Sequence, residues 1–505
     1  MVHAQSIDGE RGTRIDPKDT PAIITCMLRD VIPYDEFSRI LKKESPTDRA
    51  RASFVNFIEE RLGGTFMYDA ARFPFQRPDL ADLFQLADKM RKAGVIQSYG
   101  PWYSPHDEPP YQEWRAIYRD GEDSAAAGTT VDDDRGALSA ALAEASERHM
   151  WFETTDYFQD ERLATTSEMQ AAVPTIAPGE YASFTDEQRA THPHLALRDV
   201  PYIWIRGESL IDGSFVHLPA QVMTGASRLR ERRQARIEPT ILQPITNGLA
   251  TWPTQEGARL RGLLEVIERD AYSITWLNQI TPSRFNIDAL AAERETLGTI
   301  VEKSRRYRLE PHFLRLITDA PTYVVMTILE DLSGHAPRFS FGIKASSNAA
   351  RAAEGAVFEA LRGRRGARYF IDAGIEIPKR EHVGHIDRVL YWAEAARAEH
   401  LAFLIAGQKT APTEAWHNEA DDVHYARLIA WLRARGYRAV SIPYTHSKKN
   451  VTPWHIEFVN VPSLQPIYFN ESEPHIGGAR LTEVPRLFGF TPRAKPFTDH
   501  PHPFS

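Results

Sequence analysis

Apolar and polar positions change their rhythm along this chain, and the rhythm predicts its elements. Residues 1–19 are polar, carry both charge signs and show no period. From Asp35 to Leu62, apolar Phe37, Ile40, Phe54, Phe57 and Ile58 stand among charged residues in a helical pattern that Gly63-Gly64 ends. A second helix is predicted over Asp79 to Ala93, stopping at Gly94. Val95-Ile96 then leads into a Pro- and Tyr-rich segment, Tyr99 to Tyr111, that reads as strand and loop.

A pattern recurs from there. Gly128-Thr129-Thr130-Val131-Asp132 opens an Ala-rich helix running to about Phe152. Asn247-Gly248-Leu249-Ala250-Thr251 opens another, from Thr254 to about Trp276. Gly342-Ile343-Lys344-Ala345-Ser346 opens a third, ending near Gly363. Strand-like runs precede the second and third: Val200 to Ile205, Phe215 to Gln221 and Tyr323 to Leu329. The spacing is too irregular for a solenoid, and the alternation predicts an α+β (mixed α/β) core. Further on, helices are expected over His385 to about Leu401 and Asp422 to Gly436, with strands over Arg438 to Pro443 and Trp454 to Val461. The Pro/His-rich tail from Asp499 to Ser505 reads as neither helix nor central strand, since proline fixes φ and removes a donor.

Composition narrows the class. The 505 residues leave room for about three domains, or for one large α/β or α+β unit. A hydrophobic content of 42% is enough for a sizeable core, and 10% aromatics argue against a disordered chain. The net charge of −8 argues against a general nucleic-acid binder. Cys26 stands alone, which excludes an internal disulfide and a cysteine-based zinc site. With no signal-peptide pattern and no apolar run of about 18 residues, a cytoplasmic protein without a membrane partner is expected.

Candidate chemistry lies on the predicted helices. Glu144, Glu147 and Arg148 form a Glu-x-x-Glu-Arg motif, and Glu265, Glu268 and Arg269 repeat it; Trp151 and Trp276 follow. Positions i and i+3 share a helix face, so each pair sets two carboxylates side by side. Like charges repel, and desolvation on an otherwise apolar helix adds to the cost. A divalent cation bridging to phosphate oxygens would offset both, and Mg2+ is usually held by one or two carboxylates plus substrate phosphates. One such motif is commonplace on a solvated helix face. Its recurrence in similar surroundings singles it out, though pattern alone leaves both readings open. Glu359 on the third helix, taken by itself, reads as a surface residue beside Arg362. Neither a phosphate-binding loop nor a dinucleotide fingerprint occurs, and the histidines lack metal-site spacing. Two arginine runs, Arg228 to Arg236 and Arg362 to Arg368, read as solvated surface or loop.

Asn247-Gly248-Leu249-Ala250 followed by Leu264-Glu265-Val266-Ile267-Glu268-Arg269-Asp270-Ala271 resembles the signature of the YcaO family. Ala141 to Arg148 fits that family's first glutamate helix and Glu359 its third; Val461-Pro462-Ser463-Leu464-Gln465-Pro466 and Gly478-Ala479-Arg480-Leu481 resemble its closing region. The likeness runs from about Asp69 to Phe488. It implies a YcaO-like catalytic domain over 69–490, preceded by an extension (1–68) suited to partner docking and followed by a tail (491–505). It also implies ATP and Mg2+ as cofactors. Glu144, Glu147, Asn247, Glu265, Arg269 and Arg351 would bind ATP, and Glu147, Glu265, Glu268 and Glu359 the metal.

The implied activity is ATP-dependent phosphorylation of a backbone amide oxygen in a ribosomally made precursor peptide. A Cys, Ser or Thr side chain of the substrate would first add to the carbonyl, and loss of phosphate after the phosphorylation would leave a thiazoline or oxazoline. Thioamide or amidine formation, or a non-catalytic scaffold that binds leader or partner, are the alternatives. An E1-like or leader-recognition protein is the expected partner, and a homodimer within a larger complex fits the family. Cyclodehydratases of this family often end in Pro-x-Pro-x-Pro, which helps shape the active site. Here Pro501-His502-Pro503-Phe504-Ser505 keeps two prolines, which places Pro503 and Ser505 with the catalytic machinery. One departure stands out: where the family commonly carries Arg four residues before the third-helix glutamate, this chain has Gly355, with Arg351 a turn earlier and Arg362 just beyond. Ala250 and Pro253 also depart from the small and polar residues that usually follow Asn-Gly.

Overall fold

A computed structural model describes residues 77–504, apart from 103–106, 119–124, 154–157, 159, 224, 226–237, 373, 376–382, 384–386, 411–417 and 447–449. The extension from Met1 to Tyr68, the arginine run from Arg228 to Arg236, and Ser505 lie outside the described residues. Helix α1 (Ala81–Lys92) follows a 3-10 turn at Pro78–Leu80 and buries Leu83, Ala87 and Met90, whose spacing lines one face. That face packs into a core with Tyr99, Trp114 and the alanines of the next helix.

The strands form three sheets. In the first, β1 (Ser98–Trp102), β2 (Gln112–Ile117) and β3 (Ala125–Thr130) pair antiparallel in that order. Helix α2 (Asp134–Glu153) leaves β3 and lies across β2 and β3. The second sheet takes β4 (Arg162–Ala164), β5 (Tyr202–Ser209), β6 (Phe215–Pro219) and β7 (Leu249–Trp252), joined by β13 (Val440–Pro443) and β14 (His455–Asn460). Its order is β4-β5-β13-β14-β7, with β6 paired to β5. Helix α3 (Gln255–Leu277) starts at Thr254, whose hydroxyl accepts the Gly257 N–H, and packs on β7 and β14. The third sheet runs β11 (Phe339–Ser346), β10 (Tyr323–Asp331), β9 (Leu309–Arg315), β8 (Ser283–Phe285), β12 (Lys409–Thr410), and helix α4 (Ala349–Asp372) covers β10 and β11.

Helix α3 joins the second and third sheets. Its Leu263, Ile267 and Ile274 share one buried cluster with Val459 of β14, Val461 just beyond it, and Leu314, Met326, Ile328 and Ile343 of the third sheet. Full burial of each such side chain contributes about 1.5–3 kcal/mol. A helix buried on so many sides is held firmly, and its two glutamates are held with it.

Several expectations need correction. The glycine-containing segments expected to open the three helices are largely strands: β3, the foot of β7, and β11. Gly248 sits in a turn with positive φ, whereas Gly128 and Gly342 are present for close approach. A Cβ on Gly128 would stand 1.9 Å from the Ala137 carbonyl oxygen, and one on Gly342 would stand 2.0 Å from that of Ala356. Helix α4 also runs well past Gly363, where the third helix was expected to end. The helix expected over His385 to Leu401 is instead a short helix, Asp387–Tyr391, a 3-10 stretch, Ala395–Leu401, and a last turn, Ala402–Ile405. The break turns Arg388 and Trp392 onto the C-terminal tail, where they donate to the carbonyls of His502 and Pro501.

The second arginine run is not solvated surface. Arg364 and Arg365 are buried. Arg364 pairs with Glu108 and Asp331, Arg365 with Glu113, and Arg368 with Asp107 and Glu108. Helix α5 (Asp421–Arg435) ends at left-handed Gly436, as its sequence predicts. Among the described residues no helix is long and apolar enough to cross a membrane.

Candidate active site

Strands β3, β7 and β11 have a common position: each is the last strand of its sheet, and each feeds the helix that carries glutamate. An edge strand presents backbone N–H and C=O groups that no further strand pairs. Here glutamates pair them. Glu144 on α2 accepts from the N–H of Ala127 on β3 at 3.0 Å, and Glu265 on α3 accepts from Gly248 at the foot of β7, also at 3.0 Å. Glu359 on α4 accepts from Ile343 on β11 at 2.7 Å.

The residue three positions further on, along the same helix face, crosses to the next unit. Glu147 accepts from the Thr251 N–H of β7 and Glu268 from the Ala345 N–H of β11, both at 2.6 Å. On α4 this position is Arg362, which donates to the carbonyl oxygen of Ala127 on β3 at 2.8 Å. The tethers close a ring from β3 to β7 to β11 and back. Each carboxylate spends one oxygen on the scaffold, and all five glutamates line a cleft of about 960 Å³.

Cations and the tail complete the wall. Arg148 donates to the Thr246 hydroxyl at 2.6 Å and approaches Glu144 at 3.5 Å. Arg269 lies 3.8 Å from Glu265 and stacks 4.0 Å over the ring of Phe504. Pro503 and Phe504 line the cleft. The tail therefore forms part of the wall, with Ser505 outside the described residues.

Crowded carboxylates have an electrostatic consequence. Desolvation, reinforced by the neighbouring Glu144, pushes Glu147 up to about 8. Burial pushes Glu268 up to about 7, with Lys344 opposing the shift. The Lys344 amine, 3.7 Å from Glu268, is itself raised, chiefly by that carboxylate.

The donor set can be tested against a metal and a polyphosphate. Asn247 Oδ1, Thr251 Oγ1 and Arg269 Nη1 are buried on residues of the cleft wall with no hydrogen-bond partner among the described residues. Buried polar atoms are rarely left so. Carboxylate and amide oxygens suit Mg2+, and a guanidinium suits phosphate. Among the described residues, no three of His, Cys, Asp and Glu gather closely enough to hold a metal by themselves. Separate carboxylates completed by substrate phosphates are a usual form of Mg2+ site, so the residues fit the group.

Of the residues singled out from sequence, the cleft brings together Glu144, Glu147, Asn247, Glu265, Glu268, Arg269, Glu359 and Pro503. It leaves out Arg351, which is half-exposed and paired at 3.9 Å with Asp421. Sequence reasoning missed Thr251 and Lys344. The signal for Lys344 was present: it is the sole charged residue of the strand Phe339–Ser346.

Comparison with known proteins agrees with this geometry. The family model described as YcaO cyclodehydratase, ATP- and Mg2+-binding, matches residues 128–464, and the chain belongs to the YcaO family. ATP and Mg2+ are the ligands of that family. A search among curated proteins finds no match. Among solved structures, a heterocyclase in complex with substrate and cofactor superposes with TM-score 0.62 at 17% identity, over 83% of this chain and 57% of its own. The chain thus spans just over half of that heterocyclase. YcaO from Methanopyrus kandleri, bound with AMPPCP and Mg2+, gives TM-score 0.56 at 17% identity, over 79% of this chain and 94% of its own. The E. coli microcin synthetase McbBCD complex with pro-MccB17 bound gives 0.54 at 13% identity, over 81% and 96%. At these identities the likeness establishes the α+β YcaO fold.

Proposed function

We propose that this chain is the ATP-consuming component of a peptide cyclodehydratase, forming thiazoline or oxazoline rings from Cys, Ser or Thr in a ribosomally made precursor. The observation that carries the reading is the ring of five edge-tethered glutamates around one cleft. Glu144, Glu147, Asn247, Glu265 and Arg269 hold the nucleotide, and Glu147, Glu265, Glu268 and Glu359 hold Mg2+. Arg351, facing Asp421 outside the cleft, is left out of this set. When bound, Mg2+-ATP would supply the phosphoryl group that makes the amide oxygen of the cyclised adduct a leaving group, releasing ADP, and loss of that oxygen as phosphate would complete the azoline.

The chain's own residues supply position. The backbone N–H tethers fix each carboxylate so that one oxygen faces the ligand, which lowers the ordering cost on binding. Arg269 Nη1 offers an unpaired N–H to phosphate, and Asn247 and Thr251 offer oxygens. Phe504 stacks on Arg269 and shields it from water on the tail side, and Pro503 lines the same cleft. The precursor peptide arrives with an E1-like or leader-recognition partner, for which Met1 to Tyr68 is the docking element.

The test is nucleotide turnover with precursor and partner present, followed by peptide mass. ADP release with loss of one water per ring supports the proposal. An oxygen-to-sulfur exchange would assign a thioamide instead. Absence of ADP release from the complete mixture would leave the chain as a binding scaffold.

A further inference from the structure

Position 355 lies inside α4, where glycine is the least favourable residue apart from proline. No turn, break or positive φ accounts for it. What lies against it is a side chain. A Cβ built on Gly355 would stand 2.8 Å from Cγ, 3.2 Å from Cδ and 3.3 Å from Cβ of Lys344 on β11. The absent side chain is a slot filled by the lysine stem. Both residues line the cleft with Glu268 and Glu359.

Arg269, on the α3 side, keeps one N–H without a partner among the described residues, and the remaining arginines on the wall have scaffold partners. Arg362 donates to the Ala127 carbonyl, and Arg148 to Thr246. Arg261 pairs with Asp421 and stacks on Trp252, and Arg115 pairs with Glu113. Lys344 differs from them. Its side chain is 53% exposed, and its amine stands 3.7 Å from Glu268, beyond direct hydrogen-bond distance. A compact, rotatable ammonium at that place can turn to an arriving anion.

Resting on the ATP reading above, we infer that Lys344 is the phosphate-contacting cation on the α4 side of the cleft, and that Gly355 is the slot that lets it lie there. The sequence position left without a cation on α4 is served from the neighbouring strand.

Titration of the full-length chain with Mg2+-ATP tests this, with Lys344→Met, Gly355→Ala and Glu265→Gln compared against wild type by calorimetry. Lys344→Met keeps the stem and removes the charge, so ATP affinity should fall about tenfold while AMP affinity changes little. Gly355→Ala fills the slot and improves the helix, so affinity should fall without a drop in Tm; that pairing separates displacement from misfolding. Wild-type ATP affinity in Lys344→Met, with weakened binding in Glu265→Gln, overturns the inference and spares the ATP reading. No ATP binding by wild type overturns both.

Discussion

Helices α3 and α4 reach the cleft by the same route, each from an edge strand and each with a first glutamate bound back to that strand. Three residues later they part: α3 carries Glu268 and α4 carries Arg362. The difference follows from what each side chain meets. Glu268 meets the N–H of Ala345 and must accept, whereas Arg362 meets the C=O of Ala127 and must donate. Geometry is conserved around the ring while polarity is reversed once. The reversal also limits crowding, because the two glutamates at this position, Glu147 and Glu268, have the carboxyls pushed up toward neutrality.

Breaking the α3 side should have the largest effect. Glu268→Gln keeps an acceptor for Ala345 but removes the charge, so ATP turnover should fall on the order of 100-fold with the fold intact. Full activity in a steady-state ADP assay would remove Glu268 from the site. Reversing the α4 side comes next. Arg362→Glu opposes a carboxylate to the Ala127 carbonyl and adds a sixth acid to the cleft, and should cost about 2 kcal/mol in denaturant unfolding; Arg362→Gln, still a donor, should cost less.

The comparison also predicts a pH dependence with a definite sign. Folded Glu147 and Glu268 titrate near 8 and 7, above the ordinary value of 4.5, so the folded chain binds more protons than the unfolded chain in between. Their contribution is fully present below pH 4.5 and is lost as pH rises through 7 and 8. Glu147→Gln should therefore raise the Tm of nucleotide-free protein at pH 8.5 by a few degrees and leave it nearly unchanged at pH 4.5. Equal shifts at both values would contradict this. The smallest effect belongs to the tail: Phe504→Ala removes the ring beneath Arg269 and should raise KM for ATP about two- to fivefold.

Much of this was legible in the sequence, and the remainder was hidden for physical reasons. Helical period placed α3 to within a residue or two, and the paired glutamates were visible on its face. Strands β3 and β11 were hidden because their Gly and Ala residues admit a close-packed helix and so imitate loop composition. The crossing tethers join residues 77, 104 and 235 positions apart, beyond any local period. Arg364 and Arg365 imitated a solvated run because their acidic partners, Glu108 and Glu113, lie more than 250 residues away.

That the cleft is built from three sheet edges has a consequence for solubility. An uncovered edge is a template on which another chain can add a strand. In this molecule the glutamates that line the cleft are also what caps those edges. Removing a glutamate to alanine would uncover backbone donors on β3, β7 or β11 at the moment it removes a carboxylate from the cleft, so on the proposed function self-association and loss of activity would arrive together. Glutamine, which still accepts the backbone N–H, is the substitution that separates the two.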